Sequence, residues 1–509
     1  MAHMERILAP LFLATAAVLA AGSSQPPRFD VLIRHARVMD GSGNPWMRAD
    51  VGISGDRIAA VGRLEAATAP RVIDARDRVL APGFIDVHSH ALDGLLLPAL
   101  HQGQPLIAQG VTTLVANPDG GGPVDLAAQR AAIEAARPGP NVALLIGHGS
   151  VRRAVLADAR REPTVGELEE MKELVRRAMQ EGAFGLSSGL FYVPGAFAKT
   201  EEVIALAKIA AQSGGLYSSH VRDEGNYGAG VRASVQEVIR IAEEANTAGI
   251  VSHMKALGND SWGLGPTLIT DIDEARARGV QVYADQYPYE ASSTTLRAAL
   301  MPGGAEPTDA VVEENMRRRN GPDAILIAHY AADPSLAGKT LTEIAKLKGV
   351  TPLRAARDLI AAGNVQIVSF NMSEPDIEAI MKAPFTMASS DGGLPRPGVG
   401  HPHPRDYGAF ARRLAVYVRN RKVVPLEFAI RSMTSLPASV FGMTDRGVIR
   451  PGALADLVIF DPSAIRDMAT YAEPQKLATG VSHVFVNGIT VLEDGKFTDA
   501  APGRVLRKQ

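Results

Sequence analysis

From Pro82 onward the chain alternates short apolar runs with amphipathic stretches, and it keeps this rhythm for more than about 300 residues. "TEEVIALAKIAAQSGG" reads as a helix and "LYSSHVRDE" as a strand. "GVRASVQEVIRIAEEANTAG" follows as a helix, with Val231, Val235, Val238, Ala242 and Ala245 on one face. "IVSHMK" is then a strand, "DIDEARARGV" a helix and "QVYADQYPYE" a strand. Strands separated by helices pair in parallel. A parallel sheet of this length is most simply a closed (β/α)8 TIM barrel, in an α/β fold whose chemistry gathers at the C-terminal ends of the strands.

The two ends of the chain read differently. "DVLIRHARVMDG", "ADVGISGDRIAAVG" and "RVIDARDRVLAPG" near the start are β-rich and broken by Gly and Asp, as are "LADLVIFDP" and "HVFVNGITVLEDGKF" near the end. Two β-rich ends around a different middle predict a small β-sandwich built from both termini. Residues 25–81 and 442–509 form it, and the barrel occupies 82–441. The formal charge of −2 offers no basic footprint for nucleic acid. No cysteine is present, which excludes disulfides, thiol nucleophiles and thiolate-bound zinc, so a metal must be held by His, Asp, Glu or a modified Lys. Residues 1–24 carry Arg6, an apolar run from Ile7 to Ala21 and then small and polar residues, the layout of a secretory signal peptide. The run is short and alanine-rich for a membrane span, so the expectation is export to a bacterial periplasm or beyond, with no stable span after signal removal. The sequence leaves a homo-oligomer open.

Within the barrel, "PGFIDVHSH" places His88 and His90 two apart at the end of an apolar run, on one face of a strand. His220 in "YSSHVRDE" and His253 in "VSHMK" also stand at strand ends. A single strand-end histidine is ordinarily structural; four in one barrel, two of them as HxH, point to a metal. "FTMASSDGG" adds Asp391 after a late apolar strand, as a turn former or as a metal ligand that moves protons. A bound Zn2+ lowers the pKa of its water to about 7 and polarises a carbonyl, which is what amide hydrolysis needs at neutral pH. His35 and His483 lie in the terminal β-rich parts and read as ordinary residues. His148 either lines the site or backs it, and His401 and His403 shape a Pro-rich loop.

These motifs resemble the amidohydrolase superfamily, and several strings are similar to the D-aminoacylases (N-acyl-D-amino-acid deacylases). They are "GAFGLSSGLFYVPG", "HVRDEG", "VSHMKALGNDSWG", "DQYPYEASST", "SFNMSEPDI", "SDGGLPRPGVGHPHPRDYGAF" and "GVIRPGALADLVIFDP", and they run through the mature chain in order. The resemblance implies a TIM barrel, a small β-sandwich, and an insert between the seventh and eighth strands, here about 293–365, that helps cover the site. It implies one or two Zn2+ ions, with His220 and His253 as ligands of the tighter site and His88, His90 and Asp391 as ligands of the second. Asp391 also matches the family's general acid/base. A cysteine completes the family's tight site; this chain reads "GVTTLVANPDG", and the position aligns with Asp119. Asp119 suits zinc and has two oxygens that can bridge. Two alternatives stay open: a slip that places Pro118 there, and a plain turn residue in "NPDGGG". "AFGLSS" holds no lysine, so a carbamylated lysine is not expected. Tyr192, Lys255, Tyr287 and Arg405 match the positions that receive the substrate α-carboxylate.

The implied activity is hydrolysis of N-acyl-D-amino acids by a metal-bound hydroxide, with a small-molecule N-acyl amino acid or related amide as partner. Two alternatives use the same residues: a dipeptidase for an L-configured C-terminal residue, and an arylamide hydrolase. A binding protein on a degenerate barrel is the alternative outside catalysis.

Overall fold

A computed structural model describes residues 27–306 and 308–508; the predicted signal peptide, 1–24, lies outside them. Eight parallel strands make the barrel: Phe84–Asp86, Val111–Ala116, Asn141–Leu144 continued by Ile146–Gly147, Gly185–Gly189, Leu216–His220, Gly249–Val251, Val282–Gln286 and Thr386–Ala388. Their residues alternate between two apolar sets, as a sheet covered on both faces requires. Phe84, Leu114, Ala116, Val142 and Leu144 join the large core with the helices. Ile85, Val87, Val115, Ala143 and Ile250 join a second core with Leu436 and Phe441. Val231–Ala245 is a helix that buries all five residues expected on its apolar face.

Each strand pairs in parallel with the next along the chain. Between the eighth strand and the first, the described pairing lies beyond the strands themselves. Gly392 and Gly393 pair with Ser89 and His90, and the Asp391 amide donates to the His88 carbonyl at 2.9 Å.

The β-rich ends form one nine-stranded sheet. Val79–Pro82 from the N-terminal part pairs antiparallel with Leu457–Phe460 from the C-terminal part, which joins the two halves around a core of their own. The insert leaves the barrel after the seventh strand. It builds a three-stranded antiparallel sheet from Ala291–Thr295, Ile325–His329 and Gln366–Phe370, with helices and a separate core. It is wider than the 293–365 read from the sequence, because its first and last strands pair with each other along their whole length. Among the described residues no helix is long and apolar enough to cross a membrane.

Candidate metal centre and active site

A cavity of about 770 Å3 opens at the C-terminal ends of the barrel strands, between the strand ends and the insert. Two groups of potential metal ligands meet in it: His88, His90, Asp119 and Asp391, and beside them His220, Glu224 and His253. The first and second strands deliver the HxH pair and Asp119, the fifth and sixth deliver His220 and His253, and the eighth delivers Asp391. The structure thus brings together all six residues singled out in the sequence.

Asp119 sits between the groups. Its Oδ1 lies 3.3 Å from His88 Nε2 and 3.6 Å from His253 Nε2, and its Oδ2 lies 3.4 Å from His90 Nε2. The aspartate side chain, rather than Pro118, therefore reaches the ligand atoms. Asp391 Oδ1 lies 3.2 Å from His90 Nε2 and 3.5 Å from His88 Nε2. His220 Nδ1 donates to the Val221 carbonyl at 3.1 Å, which leaves its Nε2 free as a donor of electrons.

Glu224, the i+4 neighbour of His220 in "HVRDEG", was not anticipated. Its Oε1 lies 3.1 Å from His253 Nδ1 and accepts from Lys255 Nζ. The sequence signal was a carboxylate four residues after a strand-end histidine.

The residues fit a cation. Both ring nitrogens of the buried His88 and Oδ1 of Asp119 have no hydrogen-bond partner. Imidazole and carboxylate together are a donor set that zinc accepts. Burial works against a charged His90 and a charged His253, yet the surrounding carboxylates push each up to about 10. Burial also opposes ionisation of Asp119 and Asp391, but the imidazoles for one and the Arg405 guanidinium for the other hold both well below the usual carboxylate range. The negative potential that draws protons onto the imidazoles is the potential that would draw a divalent ion.

Backbone geometry supports the same reading. Asp119, His253 and Asp391 have φ of 56°, 36° and 48°, in the left-handed region that non-glycine residues adopt at a cost of about 1–3 kcal/mol each. Buried neighbours hold them there. Ser187 Oγ donates to the Asn117 carbonyl at 2.7 Å and accepts from the Gly120 amide at 3.1 Å, clamping the turn that carries Asp119. Asp285 accepts from the His253 amide at 3.0 Å and from Ser389 Oγ at 2.6 Å. Asp86 accepts from the Ser390 amide at 2.9 Å, and burial pushes its carboxyl up to about 6.

The four residues expected to receive a carboxylate all line the cavity. Tyr287 Oη is buried without a partner, and Tyr192 Oη meets Thr294 Oγ1 at 3.2 Å. Burial raises both phenols, so they are neutral donors. The two cations are already engaged: Lys255 by Glu224, and Arg405 by Asp391, with Nη1 donating to Oδ2 at 2.6 Å. A substrate carboxylate therefore shares them with the ligand groups. His403 is held neutral by burial and the nearby Arg405. Its Nε2 donates to the Ala291 carbonyl at 2.9 Å and its Nδ1 accepts from the Arg405 amide at 3.0 Å, so it shapes the loop. His148 does not face the cavity; its Nε2 binds Glu202 Oε1 at 2.9 Å, in a buried network with Arg152.

Comparisons with known proteins bear on the family. The model of a family described as the amidohydrolase family matches residues 71–492. The N-acyl-D-glutamate deacylase of Alcaligenes xylosoxydans xylosoxydans is 38% identical over 503 residues, covering 94% of this chain and 97% of that protein. The D-aminoacylase of the same organism is 36% identical over 517 residues, covering 96% and 99%. The crystal structure of N-acyl-D-glutamate deacylase from Bordetella bronchiseptica, complexed with zinc and a phosphonate mimic of the reaction's tetrahedral intermediate, is similar at a TM-score of 0.83 and 37% identity. It covers 94% of this chain and 100% of that one. Strand order, ligand-bearing strand ends and full-length likeness lead to one conclusion: the chain belongs to the amidohydrolase family.

Proposed function

We propose that the protein is a metal-dependent deacylase of N-acyl-D-amino acids, releasing a carboxylate and a free D-amino acid. One observation carries the reading: seven His, Asp and Glu side chains converge at the strand ends, in a cavity that also presents Tyr192, Lys255, Tyr287 and Arg405. The likeness to deacylases over the whole chain supports it.

His88, His90, Asp119, His220, His253 and Asp391 would hold one or two zinc ions, with Glu224 completing the second group. Zinc bound there supplies a water of lowered pKa and a Lewis acid for the acyl carbonyl. Tyr192 and Tyr287 donate to the substrate α-carboxylate, and Lys255 and Arg405 balance its charge. This fixes the amide carbonyl over the ligand groups. Asp391 is the proton carrier. Held ionised by Arg405 at Oδ2, it takes a proton from the attacking water at Oδ1 and passes it to the leaving nitrogen as the C–N bond breaks. The insert wall and the Pro-rich loop line the cavity beside these groups.

Release of amino acid from N-acetyl-D-methionine and N-acetyl-L-methionine, with and without added zinc, tests the reading. Zinc-dependent cleavage of the D form alone is expected. Cleavage of the L form alone would make the enzyme a peptidase-type amidohydrolase, and failure of metal-loaded protein to cleave either methionine derivative or the N-acetyl derivatives of D-glutamate and D-aspartate would refute the deacylase assignment.

We further propose export, supported by Arg6, the apolar run Ile7–Ala21 and the small residues after it. Fractionation of expressing cells, with N-terminal sequencing, is expected to find a shortened chain in the periplasm; a full-length cytoplasmic chain would overturn this.

A further inference from the structure

The wall that the insert lends to the cavity is polar. It presents the run Ser292–Thr295, His329, Gln366 and the buried Arg319, with Ala328 beside them. Arg319 follows the helix Asp309–Arg318 and is 1% exposed. Its neighbours Arg317 and Arg318 pair with Asp260 and Glu314 at the surface. Arg319 pairs with no carboxylate among the described residues. Nε donates to the Ala299 carbonyl at 3.2 Å, and Nη1 reaches the Asn371 amide oxygen at 2.9 Å when that amide is oriented to satisfy both. The guanidinium carbon lies 5.7 Å from the Tyr227 ring. These contacts fix the plane of the guanidinium and leave its charge uncompensated.

Burying an arginine without a counter-ion is costly, and folded proteins ordinarily pair such a charge. Here the cavity is the direction left open. Lys255 and Arg405 are already matched by Glu224 and Asp391, so Arg319 is the buried lysine or arginine of the cavity that lacks an acid among the described residues. Its fixed fork suits a carboxylate taken up by two parallel hydrogen bonds. The wall also adjoins the α-carboxylate end of the cavity, because Thr294 holds the Tyr192 hydroxyl at 3.2 Å. A group on this wall therefore meets the amino-acid half of the substrate.

Resting on the deacylase reading above, we infer that Arg319 is a specificity-determining residue that binds a second carboxylate, so that the substrates are N-acyl derivatives of D-amino acids with an acidic side chain. An apolar side chain would leave this cation desolvated and unpaired, beside a wall made mostly of polar groups.

The test compares kcat/KM of the zinc-loaded protein for N-acetyl-D-glutamate, N-acetyl-D-aspartate and N-acetyl-D-methionine, in wild type, Arg319→Met and Arg319→Lys. Wild type is expected to favour one acidic substrate over the methionine derivative by about 10-fold or more, the scale of a hydrogen-bonded charge pair. Arg319→Met should narrow or reverse that ratio by about 10- to 100-fold, with the loss concentrated in KM. Arg319→Lys, which keeps the charge and loses the fork, should fall between. A wild-type preference for the methionine derivative would overturn the inference, as would equal losses on all three substrates in a variant that melts like wild type. If Arg319→Met does not fold, the ratio in Arg319→Lys decides in the same way. If the wild type hydrolyses none of the three, the deacylase reading itself fails. Calorimetric titration of D-glutamate against D-methionine then still tests Arg319: tighter binding of D-glutamate that Arg319→Lys weakens supports the subsite, and equal binding refutes it.

Discussion

Replacing Asp119 is the most direct perturbation of the proposed metal centre. Its two oxygens lie within 3.3–3.6 Å of three imidazoles, His88 and His253 on one side and His90 on the other. Side chains that merely support a metal ligand change affinity by about 10–100-fold when removed. Asp119 touches both groups itself and supplies a negative charge among three imidazoles. Asp119→Ala is therefore expected to weaken zinc binding by at least about 100-fold, about 2.8 kcal/mol. Asp119→Cys separates charge from reach. A thiolate restores charge and affinity to one group, but a single sulfur in place of two oxygens spans both less well, so the variant should keep one tight zinc and lose the second. Zinc titration into metal-free protein with a competing chelator, followed by elemental analysis, measures both numbers. Two equally tight ions in Asp119→Cys, or wild-type affinity in Asp119→Ala, would refute the view that this carboxylate links the groups.

Other perturbations probe the proton carrier and its supports. Asp391→Asn keeps the shape of the side chain and removes its basicity, so kcat should fall by about 10²–10⁴-fold with at least one zinc retained; an unchanged kcat would remove Asp391 from the mechanism. A Cβ on Gly189 would lie 2.3 Å from the Asp119 carbonyl oxygen, so Gly189→Ala should displace that turn and lower zinc content and activity together, which elemental analysis and rate measurement would show. Glu202 joins the fully buried His148 and Arg152, and Glu202→Ala should destabilise the fold by about 3–5 kcal/mol by stranding them, read as a lower urea midpoint. Burial raises the Glu202 carboxyl, but His148 and Arg152 outweigh it and lower it overall. Its contribution is therefore present above the unfolded glutamate pKa of about 4.3 and is lost as pH falls through the lower folded value. Glu202→Gln should flatten that acid limb of the stability profile.

The barrel was legible because its helices carry a strong period: Val231–Ala245 buries the very face its spacing predicts. The strands were harder to bound. "IVSHMK" reads as six residues of strand, yet the strand ends at Val251: the Ser252 amide still donates to the Ser219 carbonyl at 2.9 Å, and His253, with φ of 36°, turns out of the ladder to reach the cavity. Chemistry ended the strand where hydrophobicity alone would have continued it. The histidines and Asp391 were readable as strand-end polar residues. Glu224 was not, because it lies in the loop after the fifth strand, where an acidic residue is ordinarily solvated. Arg319 was equally hidden: in "NMRRRNG" it is one of three arginines, and only the packing of the insert separates the two at the surface from the one turned inward.

The seam between the last strand and the first reaches beyond catalysis. In the described structure it is laced by the Asp391 amide on the His88 carbonyl and by the pairing of Gly392 and Gly393 with Ser89 and His90. The hoop of the barrel is thus fastened by the segments that carry the proposed ligands. Amide exchange at Asp391 would report on closure and on occupancy as one quantity. A circular permutant opened here would start life without its buckle.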